Sequence, residues 1–309
     1  MRVVFAGTPP VAVPSLERLL ESGFDVVAVL TREDAPVGRK KVMTPSPVAQ
    51  RAAELGLPVI KANRLDEATV KEIAVAEPDV AAIVAYGGLV PETALKVPTH
   101  GWINLHFSLL PAWRGAAPVQ HAVINGDDVT GASTFLLEKG LDTGPVYGTL
   151  TESIRPDDTS GELLERLSLS GAVLLVQTLS AVAAGKAMAV PQSGEVTLAP
   201  KLGLEDGHVN WQEPALAIRR RINGVTPEPG AWTLLAGQRF KLGPVTLRQD
   251  RKDLAPGQVL LASGGTASAL VGTGSCAVQL GLVQPAGKKM MAAADWVRGL
   301  GQREDVRFE

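Results

Sequence analysis

Residues 102–114 read Trp-Ile-Asn-Leu-His-Phe-Ser-Leu-Leu-Pro-Ala-Trp-Arg, an apolar run interrupted by two polar side chains, Asn104 and His106. Side chains alternate between the faces of a strand, so Ile103, Leu105 and Phe107 share one face while Trp102, Asn104, His106 and Ser108 share the other. Pro111 and Gly115 then close the run with a turn. The pair thus stands near the C-terminal end of a buried strand, where open α/β sheets hold their ligands. The residues alone leave His106 open to two readings, a hydrogen-bonded core histidine or a catalyst. A second polar group on the same face favours a site: two cost more to bury than one, and together they can donate to a developing oxyanion.

Outward from that strand, the N-terminal side alternates strands and helices. Residues 2–6 read as a strand, a helix at 11–22 has Val13, Leu16, Leu19 and Leu20 on one face, and a strand follows at 26–30. The turn between the first two elements, Gly7-Thr8-Pro9-Pro10, lacks the Gly-x-Gly-x-x-Gly spacing of a dinucleotide site, which disfavours a dinucleotide-dependent oxidoreductase. Residues 31–47 are too long for an ordinary connection and carry Arg39-Lys40-Lys41, cations that on composition alone suit a solvated loop tip. Residues 79–86 form a continuous apolar run, expected for a parallel strand covered on both faces, and end in Tyr86-Gly87-Gly88-Leu89-Val90. On the C-terminal side, a strand at 129–137 leads to Gly140-Leu141-Asp142-Thr143-Gly144, where Asp142 reads by itself as a turn former. Thr159 and Glu162 make a capping box for a long helix at 160–184. Residues 1–190 are therefore expected to form one doubly wound α/β domain.

Periodicity fails over 191–206, which reads as a linker, and a second domain is expected over 207–309. It opens with a short helix carrying Arg219-Arg220-Arg221 and continues as short strands separated by Gly-rich turns, the pattern of a small OB-like β-barrel. The net charge of −2 hides an asymmetry: from residue 210 onward there are 13 Lys+Arg against 8 Asp+Glu, so the basic part of an acidic protein lies where a polyanion could use it. One cysteine, Cys276, excludes an intrachain disulfide and any Cys-based metal cluster. No apolar run reads as a signal peptide or a bilayer span, and a cytoplasmic, monomeric protein without membrane contact is expected.

Three motifs then carry a resemblance: Asn104-Leu105-His106-Phe107-Ser108-Leu109-Leu110-Pro111, Arg114-Gly115-Ala116-Ala117-Pro118 and Leu141-Asp142-Thr143-Gly144. They resemble the folate-dependent formyltransferase family, whose relatives share a Rossmann-like formyltransferase domain. Gly7-Thr8-Pro9, Pro45-Ser46-Pro47, Ala85-Tyr86-Gly87, Val209-Asn210-Trp211 and Gln284 to Met290 extend the likeness nearly end to end, toward the branch acting on methionyl-tRNA. The resemblance implies 10-formyltetrahydrofolate as formyl donor, no metal, and methionyl-initiator tRNA as acceptor, with translation initiation as the setting. Other readings are a relative of the same fold with another amine acceptor, and a catalytically silent RNA-binding relative.

The resemblance also implies roles. Asn104, His106 and Asp142 form the catalytic trio, with the Asn104 amide and a protonated His106 donating to the oxyanion. Ser108, Leu109, Leu110 and Pro111 contact folate, and Tyr86, Gly87, Leu89 and Val90 wall the pterin pocket. Arg39, Lys40 and Lys41 are the first choices for tRNA phosphates, with Lys201, Arg219 and Arg220 behind them. The loop here reads Gly38-Arg39-Lys40-Lys41 without the family's second glycine, and Gly203-Leu204-Glu205-Asp206 follows where the family is richer in lysine.

Overall fold

A computed structural model describes residues 1–38, 40–262, 268–300 and 306–309; Arg39 therefore lies outside the described residues. The chain forms two compact units. The first comprises Met1–Pro118, Val129–Ser153 and Leu164–Pro200, the second Val119–Asp128, Ile154–Leu163 and Lys201–Glu309.

In chain order the first unit opens with β1 (Arg2–Gly7), α1 (Val13–Glu21) and β2 (Asp25–Thr31), then β3 (Ala35–Val37), β4 (Val42–Thr44), α2 (Pro47–Glu54), β5 (Val59–Lys61) and α3 (Glu67–Val75). It continues through β6 (Val80–Val84), α4 (Glu92–Leu95), β7 (Trp102–His106) and β8 (Arg114–Gly115). After α5 (Pro118–Asn125), nearly all in the second unit, come β9 (Val129–Leu136), β10 (Val146–Ser153), α6 (Ser160–Ala183), whose first turn through Leu163 falls in the second unit, and β11 (Leu198–Ala199). Side-chain caps set several helix starts: Ser46 accepts from Ala49 N for α2, Asp66 from Thr69 N for α3. For α6 the expected capping box forms, Glu162 N donating to Thr159 Oγ1 (3.2 Å) and Thr159 N to Glu162 Oε2 (2.9 Å).

The main sheet runs β10-β9-β7-β6-β1-β2-β5, with β5, β2, β1, β6 and β7 parallel and the last two strands antiparallel. Every residue of β6 is buried, as its unbroken apolar run requires. The doubly wound reading holds, and it sets β6 and β7 side by side so that their C-terminal ends share one edge.

Three local expectations are corrected. The stretch 31–47 is not a plain loop: Ala35↔Thr44 and Val37↔Val42 pair as a two-stranded hairpin, whose tip carries Lys40 and exposed Lys41. Alternation over Ala35–Val37 is masked by Pro36 and by the exposure of all three residues. The stretch 191–200 is not free linker either, because β11 pairs in parallel with β8 (Leu198↔Arg114, Ala199↔Gly115) and belongs to the first unit. A two-residue strand has no periodicity to read. Finally, α6 is, among the described residues, a helix long and apolar enough to cross a membrane by length and composition; Leu167, Leu175 and Leu179 are buried, and Thr178 bonds Thr134 of β9 (2.7 Å).

The second unit contains α7 (Ala215–Gly224), β12 (Ala231–Leu235), β13 (Gln238–Leu242), β14 (Val245–Arg248), β15 (Gln258–Ala262), β16 (Ser268–Val271), β17 (Ala277–Leu280), β18 (Leu282–Gln284), β19 (Met291–Ala292), α8 (Ala293–Leu300) and β20 (Val306–Arg307). β13 runs into β14 and β17 into β18, and the two bent arms pair along their length (Lys241↔Gln284, Val245↔Leu280). Gly281 lies at the bend, where a Cβ would come within 2.7 Å of the Pro244 carbonyl oxygen. Pairing then passes through β16, β15 and β20, and Phe308 bridges back to Leu235 of β12, which closes the barrel. Trp211, Phe240, Trp296 and Phe308 fill its core, with Phe240 and Phe308 ring centroids 5.0 Å apart.

Candidate active site

His106 is the last residue of β7, opposite Ser133 of β9, and is buried with its ring edge-on to Phe135. Its Nε2 lies 2.9 Å from the Trp113 carbonyl oxygen. A carbonyl only accepts, so Nε2 carries the hydrogen and Nδ1 is left facing the Asp142 carboxylate, 3.8 Å from Oδ2. Burial pushes the imidazole below its ordinary value of 6.5, against the opposing pull of the Asp142 charge and the Trp113 carbonyl. The Nε2–H is thus committed to the Trp113 carbonyl, and Nδ1 is the ring atom turned toward Asp142. Asn104 brings an amide donor to the same strand end. It shares His106's face, is half-buried, and its amide bonds no partner among the described residues.

Asp142 does reach His106. It adopts a left-handed backbone (φ 50°) in the 137–145 loop, and its Oδ2 accepts from the Gly115 N–H at 2.8 Å. The glycine two residues on is obligatory, since a Cβ at Gly144 would lie 1.7 Å from the Leu136 carbonyl oxygen. Gln192 Nε2 donates to the Asp142 and Gly144 carbonyls, both at 2.8 Å, while its Oε1 accepts from Arg114 Nε (3.1 Å) and Nη2 (2.6 Å).

The structure puts the other expected site residues in two groups. Ser108 is fully buried and builds the turn: its Oγ donates to Ala112 O (2.6 Å), and Ser133 Oγ donates to Ser108 O (2.7 Å) while accepting from Leu110 N (3.1 Å). Leu109 and Leu110 are half-buried and Pro111 is buried, following a cis Leu110–Pro111 bond. Tyr86 also faces inward, buried in the core with its hydroxyl donating to Ala62 O (2.6 Å). Its neighbours Gly87, Leu89 and Val90 instead line a cavity of about 660 Å³, together with Arg32, Arg64 and Lys139. Arg32 braces that wall by donating to Gly87 O (2.9 Å) and Asn63 Oδ1 (3.0 Å). Since the Gly87–Val90 turn follows β6 and His106 ends the adjacent β7, cavity and trio occupy the same edge of the sheet.

Among the cations, Lys40, Lys41 and Lys201 are exposed and make no ion pair among the described residues. Arg219 is held by Asp157 (3.4 Å), and Arg220 donates to Gly126 O (3.4 Å), both within the second unit. Gln192, Ser133 and the Trp113 carbonyl were not anticipated. The only hint was Arg114-Gly115 among the motifs, because Gln192 sits in an aperiodic Pro-rich stretch brought in by long-range pairing.

A doubly wound domain with an Asn-His-Asp constellation at its strand ends, followed by an antiparallel barrel, defines a formyl transferase, and two family models agree. The formyl transferase model matches residues 1–179, and that of the formyl transferase C-terminal domain matches 201–301. The chain belongs to the methionyl-tRNA formyltransferase family: it is 72% identical over 309 residues to the methionyl-tRNA formyltransferase of Arthrobacter sp. (strain FB24), covering all of both chains. Among solved structures, an N-formyltransferase from Helicobacter canadensis in complex with folinic acid and dTDP-3-aminofucose shares the fold (TM-score 0.69, 18% identity, 92% of this chain and 98% of that one). So does the methionyl-tRNA formyltransferase from Clostridium thermocellum (TM-score 0.57, 15% identity, 80% of this chain and 94% of that one).

Proposed function

We propose that this protein transfers the formyl group of 10-formyltetrahydrofolate to the α-amino group of methionyl-initiator tRNA, a cytoplasmic step of translation initiation. The observation that carries the reading is the approach of the buried His106 to Asp142 at 3.8 Å beside the unpartnered Asn104 amide.

The acceptor amine attacks the formyl carbon, a C–N bond forms, and the carbonyl electron pair moves onto oxygen. Asn104 donates to that oxygen, a type of contact whose loss typically costs about 10²- to 10³-fold. His106 Nδ1 holds a lone pair, so it takes the proton that the attacking nitrogen must lose. Asp142 stabilises the imidazolium so formed, and the proton then goes to N10 as the C–N10 bond breaks. No covalent intermediate on the protein is required, because the acceptor itself is the nucleophile.

The cavity at Gly87–Val90 has the size of a small-molecule site, with apolar walls for a bicyclic ring and with Arg32, Arg64 and Lys139 for the carboxylates of a folate tail. Ser108 and Pro111 shape that approach rather than offering free polar groups. For the tRNA, Lys40 and Lys41 at the hairpin tip and Lys201 are the cations free to meet phosphates.

The deciding assay incubates the protein with 10-formyltetrahydrofolate and with charged initiator and elongator tRNAs in parallel. Formyl should appear on initiator methionyl-tRNA. Transfer only to a small amine, or tRNA binding without transfer, would defeat the reading.

A further inference from the structure

Gln192 lies 50 residues beyond Asp142 in sequence, yet its carboxamide makes four hydrogen bonds to Arg114, Asp142 and Gly144. Its orientation is determined by chemistry alone. The guanidinium of Arg114 has only donors and must meet Oε1; the Asp142 and Gly144 carbonyls have only acceptors and must meet Nε2. All the hydrogen bonds are satisfied in one orientation, and a flipped amide would lose every one. Arg114 is fixed in turn by β8–β11 pairing and by its own N–H donating to Thr197 O (2.9 Å), while Trp113 N donates to Thr197 Oγ1 (2.8 Å).

The consequence falls on Asp142. Its left-handed backbone is one that a non-glycine residue adopts only at a cost; the loop's ends are tied by Leu137 N to Trp102 O (2.7 Å) and Leu136 N to Pro145 O (3.0 Å), and Thr143 Oγ1 donates to Glu138 Oε1 (2.6 Å) on the exposed side. Gln192 grips the loop at the two carbonyls flanking Thr143, so it fixes the peptide planes from which the Asp142 side chain projects. Gly115, whose N–H receives Asp142 Oδ2, belongs to the same β8 segment as Arg114. Two of the carboxylate's constraints therefore trace to one frame.

We propose that Gln192 is a positioning residue of the transfer reaction: clamped by Arg114, it holds the 142–144 loop so that the Asp142 carboxylate faces His106. This rests on the reading that Asp142 acts in the reaction. Gln192 itself touches neither His106 nor the reacting atoms.

Two variants of the full chain test it. Gln192→Met keeps the length and cannot donate; Gln192→Glu keeps the Arg114 partner but turns a carboxylate oxygen toward two carbonyls. Both should lower kcat with charged initiator tRNA by about 10- to 100-fold, the penalty for a misplaced catalytic group. KM for either substrate should stay within about threefold, since ground-state binding is untouched, and the melting temperature should hold. Because Gln192 acts through Asp142, Gln192→Met should cost little further in an Asp142→Asn background. Native kcat in both single variants would overturn the inference. So would a loss that adds fully in the double variant, or a kcat loss tracking a fall in melting temperature. If Asp142→Asn alone keeps native turnover, the functional reading fails first and the clamp with it; if Asp142→Asn is crippled and Gln192→Met is not, only the clamp fails.

Discussion

The strand-end site of the first unit and the barrel interior of the second are both buried, but they are filled by opposite means. Around His106 the space is occupied by polar groups joined one to one: Nε2 to Trp113, Asp142 to Gly115, Gln192 to the Asp142 and Gly144 carbonyls. Around Phe308 it is occupied by rings, Trp211 stacked on one side and Phe240 and Trp296 packed beside it. Directional bonds set geometry while contributing little net stability; apolar packing contributes stability and sets geometry loosely. Damage to the first region should therefore be read in turnover, and damage to the second in unfolding.

The largest effect should come from the trio. His106→Ala and Asp142→Ala should each lower kcat by about 10²- to 10⁴-fold, the range of general acid–base catalysis, with tRNA affinity nearly intact. Large binding losses with unchanged turnover would break the contrast. Phe240→Ala, in the barrel core, should destabilise the protein by about 3–5 kcal/mol, measured by denaturant unfolding followed through tryptophan fluorescence. A lowered kcat with unaltered stability would show that the barrel shapes the active site directly.

The same contrast explains how much was legible in the sequence. The parallel strands were readable because a strand buried on both faces is an unbroken apolar run, as in Val80–Val84. Asn104 and His106 were readable because they break such a run. The α6 capping box has a fixed local spacing and was readable too. What escaped depends on pairing between distant segments or on main-chain groups. Gln192 matters only because Leu198–Ala199 pairs with Arg114–Gly115. The anchor of His106 Nε2 escaped because it is the Trp113 carbonyl, a group every residue possesses. Tyr86 was expected at the pocket wall, but a phenol is amphipathic, and a core with the Ala62 carbonyl as acceptor suits it as well.

A smaller effect is expected at the surface. Lys40→Ala and Lys41→Ala should raise KM for tRNA by a few fold and reduce the salt dependence of tRNA use by roughly one counterion each, with kcat preserved. An unchanged salt slope in the double variant would remove the hairpin tip from the tRNA interface and leave Lys201 to be tested alone.

The smallest effect tests the protonation state of the site. In the unfolded chain His106 titrates near 6.5, whereas burial holds it lower in the fold despite the Asp142 charge. Between those two values the unfolded chain binds a proton that the folded chain refuses, so this residue's contribution is fully present above 6.5 and declines as the pH drops through the window, levelling off below the folded value. His106→Gln cannot take up that proton. Its melting temperature should therefore fall less steeply than the native protein's as the pH is lowered below 6.5, whatever the offset between the two curves. Phe240→Leu, which perturbs only the ring-filled core, should retain the native slope. If His106→Gln follows the native slope instead, the imidazole is not held neutral, and the base assigned to Nδ1 must be reassigned to the Asp142 carboxylate.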